Sequence, residues 1–343
     1  MPANTRATEA QRTNVIAAGE MLARKDMQLC LCEFFDKTPM DMHKASTLKL
    51  RRYLPPTVNV DAAGKPVALV EGSFEAAGVN PDFDLLTHED YEIAMQIYAK
   101  SYKITEEVTC YAEDDVRKEA TIAIGEWAGY MEELVAYHAG LATTHKYYTN
   151  GTATNQVNTA ITSQLLSKVE RSLMAEKAVH FKKFTTGQTN YKTTPVPATF
   201  VLVGHTDLKY DFESLGDKWK PVESYGAQTV IHEFEAGSTG AFRVILTPNF
   251  PAVADGGGAA GAMKSTSGAN ADVYRMLAFG QRAASVVTPK GKKGMKALIV
   301  QPDTPSPVDP AGRNGFVTGK EHFAAGITNT AWICEIQAAA TNL

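Results

Sequence analysis

The chain has 343 residues, 44% hydrophobic and 21% charged, with 34 Lys plus Arg against 38 Asp plus Glu and a formal net charge of −4. That balance excludes an acidic disordered chain, a collagen-like repeat, a small disulfide scaffold and a protein that coats polyanions through bulk charge. The length allows about two domains and a core that buries roughly three-quarters of the unfolded surface.

Four cysteines are too few to staple a chain of this length. Cys30 and Cys32 form C-x-C, one residue short of a C-x-x-C redox or zinc pair, and Cys110 and Cys334 stand alone. The expectation is a reducing compartment with buried thiols acting as small apolar residues. The first residues carry no apolar signal-peptide core, and no run of about 18 apolar residues occurs, so a soluble, unsecreted protein without a membrane span is expected.

Taken in chain order, residues 1 to about 45 read as an arm, with Val15 to Leu31 helical and Thr38-Pro39 ending the helix. Thr47 to Leu54 alternates Leu48 and Leu50 with Lys49 and Arg51, which predicts a strand. A Gly/Pro-rich excursion to about residue 88 has too few bulky apolar groups for a core. Tyr91 to Val108 then reads as one long strand, with Ile93, Met95 and Ile97 on one face. Two strands around such an excursion predict a projecting hairpin, which is poorly stable alone and needs a partner.

Glu113 to about His145 predicts the longest helix. Its apolar stripe is Val116, Ala120, Ile124, Trp127, Met131, Leu134, His138 and Leu141, its first turn is acidic, and Gly140 lies at its end. A second amphipathic helix carries Ile161, Leu165, Leu166, Val169, Leu173 and Met174. Pro197 to Val203 reads as a buried strand turned by Gly204 to Asp207. Further strands are expected at Val230 to Glu235, Phe242 to Thr247, Ala297 to Val300 and within Phe316 to Gln337. Tyr274 to Val287 is apolar without clean periodicity, and Ala254 to Asn270 reads as a mobile surface loop. Helices and strands without βαβ regularity point to α+β.

No constellation specifies catalysis. The run GGGAAGAMKST nearly spells a phosphate loop, but Met263 stands before Lys264 where that loop needs glycine. Lys290, Lys292, Lys293 and Lys296 lack the interleaved aromatics of a base-stacking site. His138 and His145 share a helix face, and His232 neighbours Glu233 and Glu235, without H-E-x-x-H spacing. Adjacent Glu132 and Glu133 point about 100° apart and form no catalytic pair. Asn150-Gly151-Thr152 reads as a turn. The expected catalytic, cofactor-binding and metal residues are therefore none, and no cofactor is expected. Parts that project with little core of their own suggest assembly.

A set of stretches in fixed order carries a resemblance. These are KLRRY at Lys49 to Tyr53, YTNGT at Tyr148 to Thr152 with Val157-Asn158, HTDL at His205 to Leu208 and KPVESYG at Lys220 to Gly226. FRVILTPNFP at Phe242 to Pro251 and ADVY at Ala271 to Tyr274, with Phe279-Gly280, follow. VDPAGRNGFVTGK at Val308 to Lys320 and FAAGITNTAW at Phe323 to Trp332 complete the set. Over about residues 48 to 340 the chain resembles the major capsid proteins of tailed bacteriophages, specifically the coat-protein family of the N-four-like phages.

The resemblance implies the Hong Kong ninety-seven type of α+β capsid fold. It implies an N-terminal arm at 1–47 and an extended loop at 48–108. It places a peripheral domain at 109–154 and 301–343 with its spine helix at about 113–145, and an axial domain at 155–300. It implies no enzyme, but a structural protein that assembles with itself through arm and loop into hexamers and pentamers. The implied partners are a portal, a separate scaffold, decoration proteins and weakly, non-specifically held double-stranded DNA, with no membrane. No Lys–Asn crosslink is expected. A region of about 45 residues before the first strand is too short for a fused scaffolding domain. The implied location is the virion, with assembly in the host cytoplasm. An encapsulin-like compartment shell enclosing cargo enzymes is the alternative, and a soluble enzyme with dispersed catalytic residues is a further one.

Overall fold

The computed structural model describes residues 30–41, 46–54, 63–65, 86–107, 116–181, 199–225, 230–290, 295–305 and 309–343. Helices in chain order are α1 (Leu31–Phe34), α2 (Val116–Gly140), α3 (Ser163–Ala175) and α4 (Lys209–Glu213). The strands begin with β1 (Asp36–Met40), β2 (Thr47–Tyr53), β3 (His88–Ala94), β4 (Gln96–Thr105) and β5 (Lys146–Tyr148). Then come β6 (Phe200–His205), β7 (Trp219–Pro221), β8 (Glu235–Thr239), β9 (Phe242–Thr247) and β10 (Val273–Phe279). The last are β11 (Ala284–Pro289), β12 (Lys296–Val300), β13 (Asn314–Ile327) and β14 (Ile333–Ala339).

A seven-stranded sheet runs in the order β5-β14-β10-β6-β9-β8-β7. Its central strands are apolar on both faces because both are covered. Phe200, Leu202, Val244, Met276 and Ile336 face a cluster with Leu166, Val169 and Leu173 of α3 and Phe212 of α4. Val201, Val203, Ile245, Leu277 and Phe279 face the opposite way, against Cys30, Leu31 and Phe35 and the end of α2 at Ala136 and Tyr137. Each such side chain, fully buried, contributes roughly 1.5–3 kcal/mol.

The second sheet has five strands around β13, which is 14 residues long. Its first part pairs antiparallel with β4 and β12, and its last part with β11. β1 adds to β11 in parallel. Helix α2 crosses this sheet with Ile124 and Ala128 packed on Ile104 and Val317, then reaches the seven-stranded sheet with its last turn. Two glycines permit this close approach: a side chain at Gly319 would strike Ile124, and a Cβ at Gly140 would lie 2.6 Å from Leu277 Cδ1.

Several expectations need correction. The stretch from Tyr91 is not one strand: it breaks at Met95, β3 joins β2 and β4 joins β13. The faces swap at that break, so Ile93 is buried while Ile97 is 59% exposed. Thr38-Pro39 lies inside β1, where proline is tolerated because the strand is at an edge. The long helix is described from Val116 to Gly140, with His145 beyond it and 113–115 outside the described residues.

Ile124 and Met131 of the expected stripe are buried, but the buried face also runs through Thr121, Gly125, Ala128, Gly129, Ala136 and Gly140, small residues that let the helix lie close on its sheets. Trp127 and Leu134 are half-buried and His138 is exposed. On α3, Leu166, Val169 and Leu173 are buried as expected, whereas Met174 is exposed. Val230 to Glu235 is a turn, closed by Ile231 N–H on the Glu235 carboxylate and Phe234 N–H on His232 Nδ1, and the strand starts at Glu235. The apolar stretch from Tyr274 resolves into β10 and β11.

The Ala254 to Asn270 loop is tethered at both ends of its arc. Asp255 accepts from Ser265 Oγ and Ser267 N, and Asp272 accepts from Asp255 N and from both Thr266 N and Oγ1. Gly257 is buried and donates to Ala271 O.

Candidate functional site

The hairpin of β2 and β3 pairs Leu48 with Ile93, Leu50 with Tyr91 and Arg52 with Glu89 on its inward face. Ile93 anchors that face against Val287 and Ala324, with Leu48, Leu50 and Met95 beside it. The outward face is a charge ladder. Lys49 reaches Asp90 and Glu92 at 3.2 Å each, and Arg51 binds Asp90 through two nitrogens at 2.7 and 3.0 Å. The Arg51 guanidinium and the Lys49 ammonium hold the Asp90 carboxyl well below its usual range. Cross-strand opposite charges of this kind fix register more than they add stability.

Between hairpin and body lies a groove of about 730 Å³. Leu50, Tyr53, Leu54, Tyr91 and Trp332 supply its apolar lining, and Trp332 is fixed by its indole N–H donating to Glu176 O at 3.0 Å. Asp36 and Thr38 of β1 border it, and among the described residues β1 pairs with β11 alone. At the mouth stand Lys177 and Arg282, brought together by the bridge between Val179 and Gln281. Both have left-handed backbone, φ 54° and 65°, a conformation that side-chain-bearing residues rarely adopt. Both are exposed, and neither is in an ion pair among the described residues. An apolar trough with two free cations and a strand edge suits an extended, acidic, partly apolar segment.

The remaining polar clusters are closed networks. Arg243 and Glu235 are buried and 2.8 Å apart, Tyr225 donates to the same carboxylate at 2.8 Å, and the guanidinium lies 4.3 Å from the Tyr225 ring centroid. Burial, with the Glu235 carboxylate, pushes the Tyr225 hydroxyl up to about 12. Asp207 accepts from Lys264 Nζ and Tyr274 Oη at 2.6 Å each. Burial alone would raise its carboxyl, but those bonds overcome it and hold it low. Lys264 is thus engaged by a carboxylate rather than presented to a phosphate. Asp211 accepts the main-chain N–H and hydroxyl of Thr341, which fixes the last strand's exit.

The residues weighed for chemistry in the sequence are not brought together. His138 is exposed and sits edge-on to Tyr137, while His232 is buried with Nε2 3.5 Å from Glu33. Lys290 pairs with Asp41 at 3.4 Å, and Lys292 and Lys293 lie outside the described residues. Gly151 has φ 70°, as the expected turn requires. Cys30, Cys32 and Cys334 are buried and form no disulfide among the described residues, and Cys110 lies outside them. Sequence reasoning missed the groove, since its lining comes from six separate segments.

No protein-family model matches the sequence, and no curated protein matches it either. Solved structures do match over nearly the whole chain. The capsid of Ralstonia phage GP4 is 13% identical with a TM-score of 0.60, covering 90% of this chain and 87% of that one. The capsid of cyanophage Pam1 is 12% identical with a TM-score of 0.54, covering 100% and 96%. The head structure of Helicobacter pylori bacteriophage KHP40 is 10% identical with a TM-score of 0.54, covering 88% and 86%. The fold is therefore the α+β capsid fold of the Hong Kong ninety-seven type.

Proposed function

We propose that the chain is a structural, non-enzymatic shell protein of a tailed-phage capsid, assembling with copies of itself around packaged double-stranded DNA. The observation that carries this reading is the end-to-end likeness to phage capsid and head structures. The hairpin and its groove support it independently, because both offer surfaces that a lone subunit leaves uncovered. On this reading the 1–47 arm, the 48–108 extended loop, the peripheral domain at 109–154 and 301–343 and the axial domain at 155–300 are the working divisions. Hexamers and pentamers are the expected capsomers, the virion is the expected location, and the host cytoplasm is the site of assembly. A portal, a separate scaffold and decoration proteins are the expected partners, and the coat family of the N-four-like phages is the expected kinship.

Many copies of one contact of ordinary size, each weak, close a shell through multivalency. A chain of net charge −4 suits an inner wall that holds DNA without gripping it. Electron microscopy of the purified protein, alongside light scattering, tests the proposal. Closed particles tens of nanometres across, or rings of five and six copies, are expected with or without added scaffold. A stable monomer or dimer under every salt, crowding and co-expression condition would overturn it.

A further inference from the structure

Glu133 lies in the middle of α2, is fully buried, and is not a residue that the shell reading uses. Its carboxylate accepts main-chain N–H groups from a segment about a hundred positions earlier. Leu31 N donates to Oε1 at 2.9 Å and to Oε2 at 3.1 Å, and Cys30 N donates to Oε2 at 3.1 Å. These donors are the N-cap and the first residue of α1, at the start of the described residues. A second contact lies beside this carboxylate: the Cys32 thiol donates to the main-chain oxygen of Glu132 at 3.7 Å.

We propose that the seat of α1 on Glu133 is a proton-linked latch on the root of the N-terminal segment, closing with proton uptake and loosening as Glu133 ionises.

The surroundings set the sign. No cation pairs with Glu133 among the described residues. The groups that act on it are Cys30, whose thiol burial keeps neutral, and the carboxylate of Glu33, while the buried Glu132 beside it on the helix points about 100° away. His232, from the turn before β8, lies 3.5 Å from Glu33 rather than from Glu133. Burial raises the Glu133 carboxyl from 4.5 to about 7, with Glu33 adding to the rise, and the main-chain N–H bonds only partly oppose it.

Closing α1 over Glu133 contributes to that burial, because Cys30 and Leu31, both buried, lie against its carboxylate. The closed form therefore holds a proton that the open, hydrated form has released between pH 4.5 and 7. Acidification through that window tightens the latch, and raising the pH loosens it. Above the window no further loosening follows, and below it no further gain.

Amide hydrogen exchange on the full chain tests this, corrected for the intrinsic pH dependence of exchange. It reads the subunit itself, so its outcome is independent of whether shells form. Protection of residues 30–35 should fall about tenfold between pH 5.5 and 7.5, while the β6 segment stays level. Glu133→Gln should flatten the slope and keep the protection seen at low pH. Glu33→Gln, at a half-exposed site, should move the fall to lower pH. A wild-type profile that is flat or rises with pH would overturn the latch. So would a slope that survives Glu133→Gln, or one left unmoved by Glu33→Gln.

Discussion

Tyr137 lies flat on Phe250, with ring centroids 4.2 Å apart and planes 7° from parallel, while its hydroxyl donates to Arg275 O at 3.0 Å. One side chain thus ties α2 to the loop after β9 and to the spine of β10. Tyr137→Phe keeps the stack and loses the hydrogen bond, which should cost about 1 kcal/mol. Tyr137→Ala also empties the space, which should cost about 3–5 kcal/mol. Urea unfolding of both variants checks the split between stacking and hydrogen bonding.

Gly140 marks the place where α2 meets β10 most closely. Valine there would push on Leu277, and the overpacking should destabilise by about 1–3 kcal/mol. Gly64 has open space around its missing Cβ and serves as the control in the same melting experiment, with alanine there limited to the strain of its φ of 77°.

The outward ladder of the hairpin predicts a pH and salt response. Asp90 is held below its ordinary value of 3.8 by Arg51 and Lys49, so its contribution is present above that value and is lost as the pH falls below it. Exchange protection of 47–53 and 88–94 should be level between pH 5 and 8 and decline under more acid conditions. One molar salt at neutral pH should lower it too, because these side chains are exposed and screened. Protection that rises on acidification would show that the ladder does not hold the strands.

Lys177 and Arg282 occupy backbone that glycine adopts without strain. Arg282→Gly should leave the melting temperature unchanged or slightly higher while removing a cation from the groove mouth. If the groove receives an acidic segment of a neighbour, Lys177→Gly with Arg282→Gly should assemble poorly although fully folded. Normal particles from the double variant would release the groove from that role.

Replacing residues 55–87 with a short Gly/Ser linker leaves both hairpin strands intact, since β2 ends at Tyr53 and β3 begins at its partner His88. The body should remain folded by circular dichroism and the particles should be lost from electron micrographs. Particles of normal size from this replacement would remove the extended loop from the assembly contacts.

Much of the fold is legible in local pattern, and the failures have physical causes. Phe242 to Thr247 and Phe200 onward read as strands because a sheet covered on both faces needs continuous apolar runs. The alternation at Leu48 and Leu50 shows the hairpin because one of its faces meets water. The stretch from Tyr91 misleads because Ile93 and Ile97 share one period-two pattern across a break at Met95 that turns the second strand over. The face of α2 misleads in part because Gly125, Ala128, Ala136 and Gly140 share the buried side with Ile124 and Met131, and a bulky apolar period does not single out such small residues. Glu133 and the groove are invisible locally, since Leu31 stands 102 positions from its partner and Lys177 meets Arg282 only through a single bridge.

The seven-stranded sheet has both faces committed inside the subunit, and this separates two kinds of selection. Residues such as Val201, Leu202 and Met276 answer only to their own neighbours and can exchange for others of equal shape. On the proposed assembly, whatever meets another copy would instead be carried by edges, loops, the hairpin and the arm root, where one change would be felt at every symmetry-related contact at once. An interior of this kind can therefore be filled by very different sequences on one framework, as the 13% identity with the Ralstonia phage capsid at the same fold illustrates.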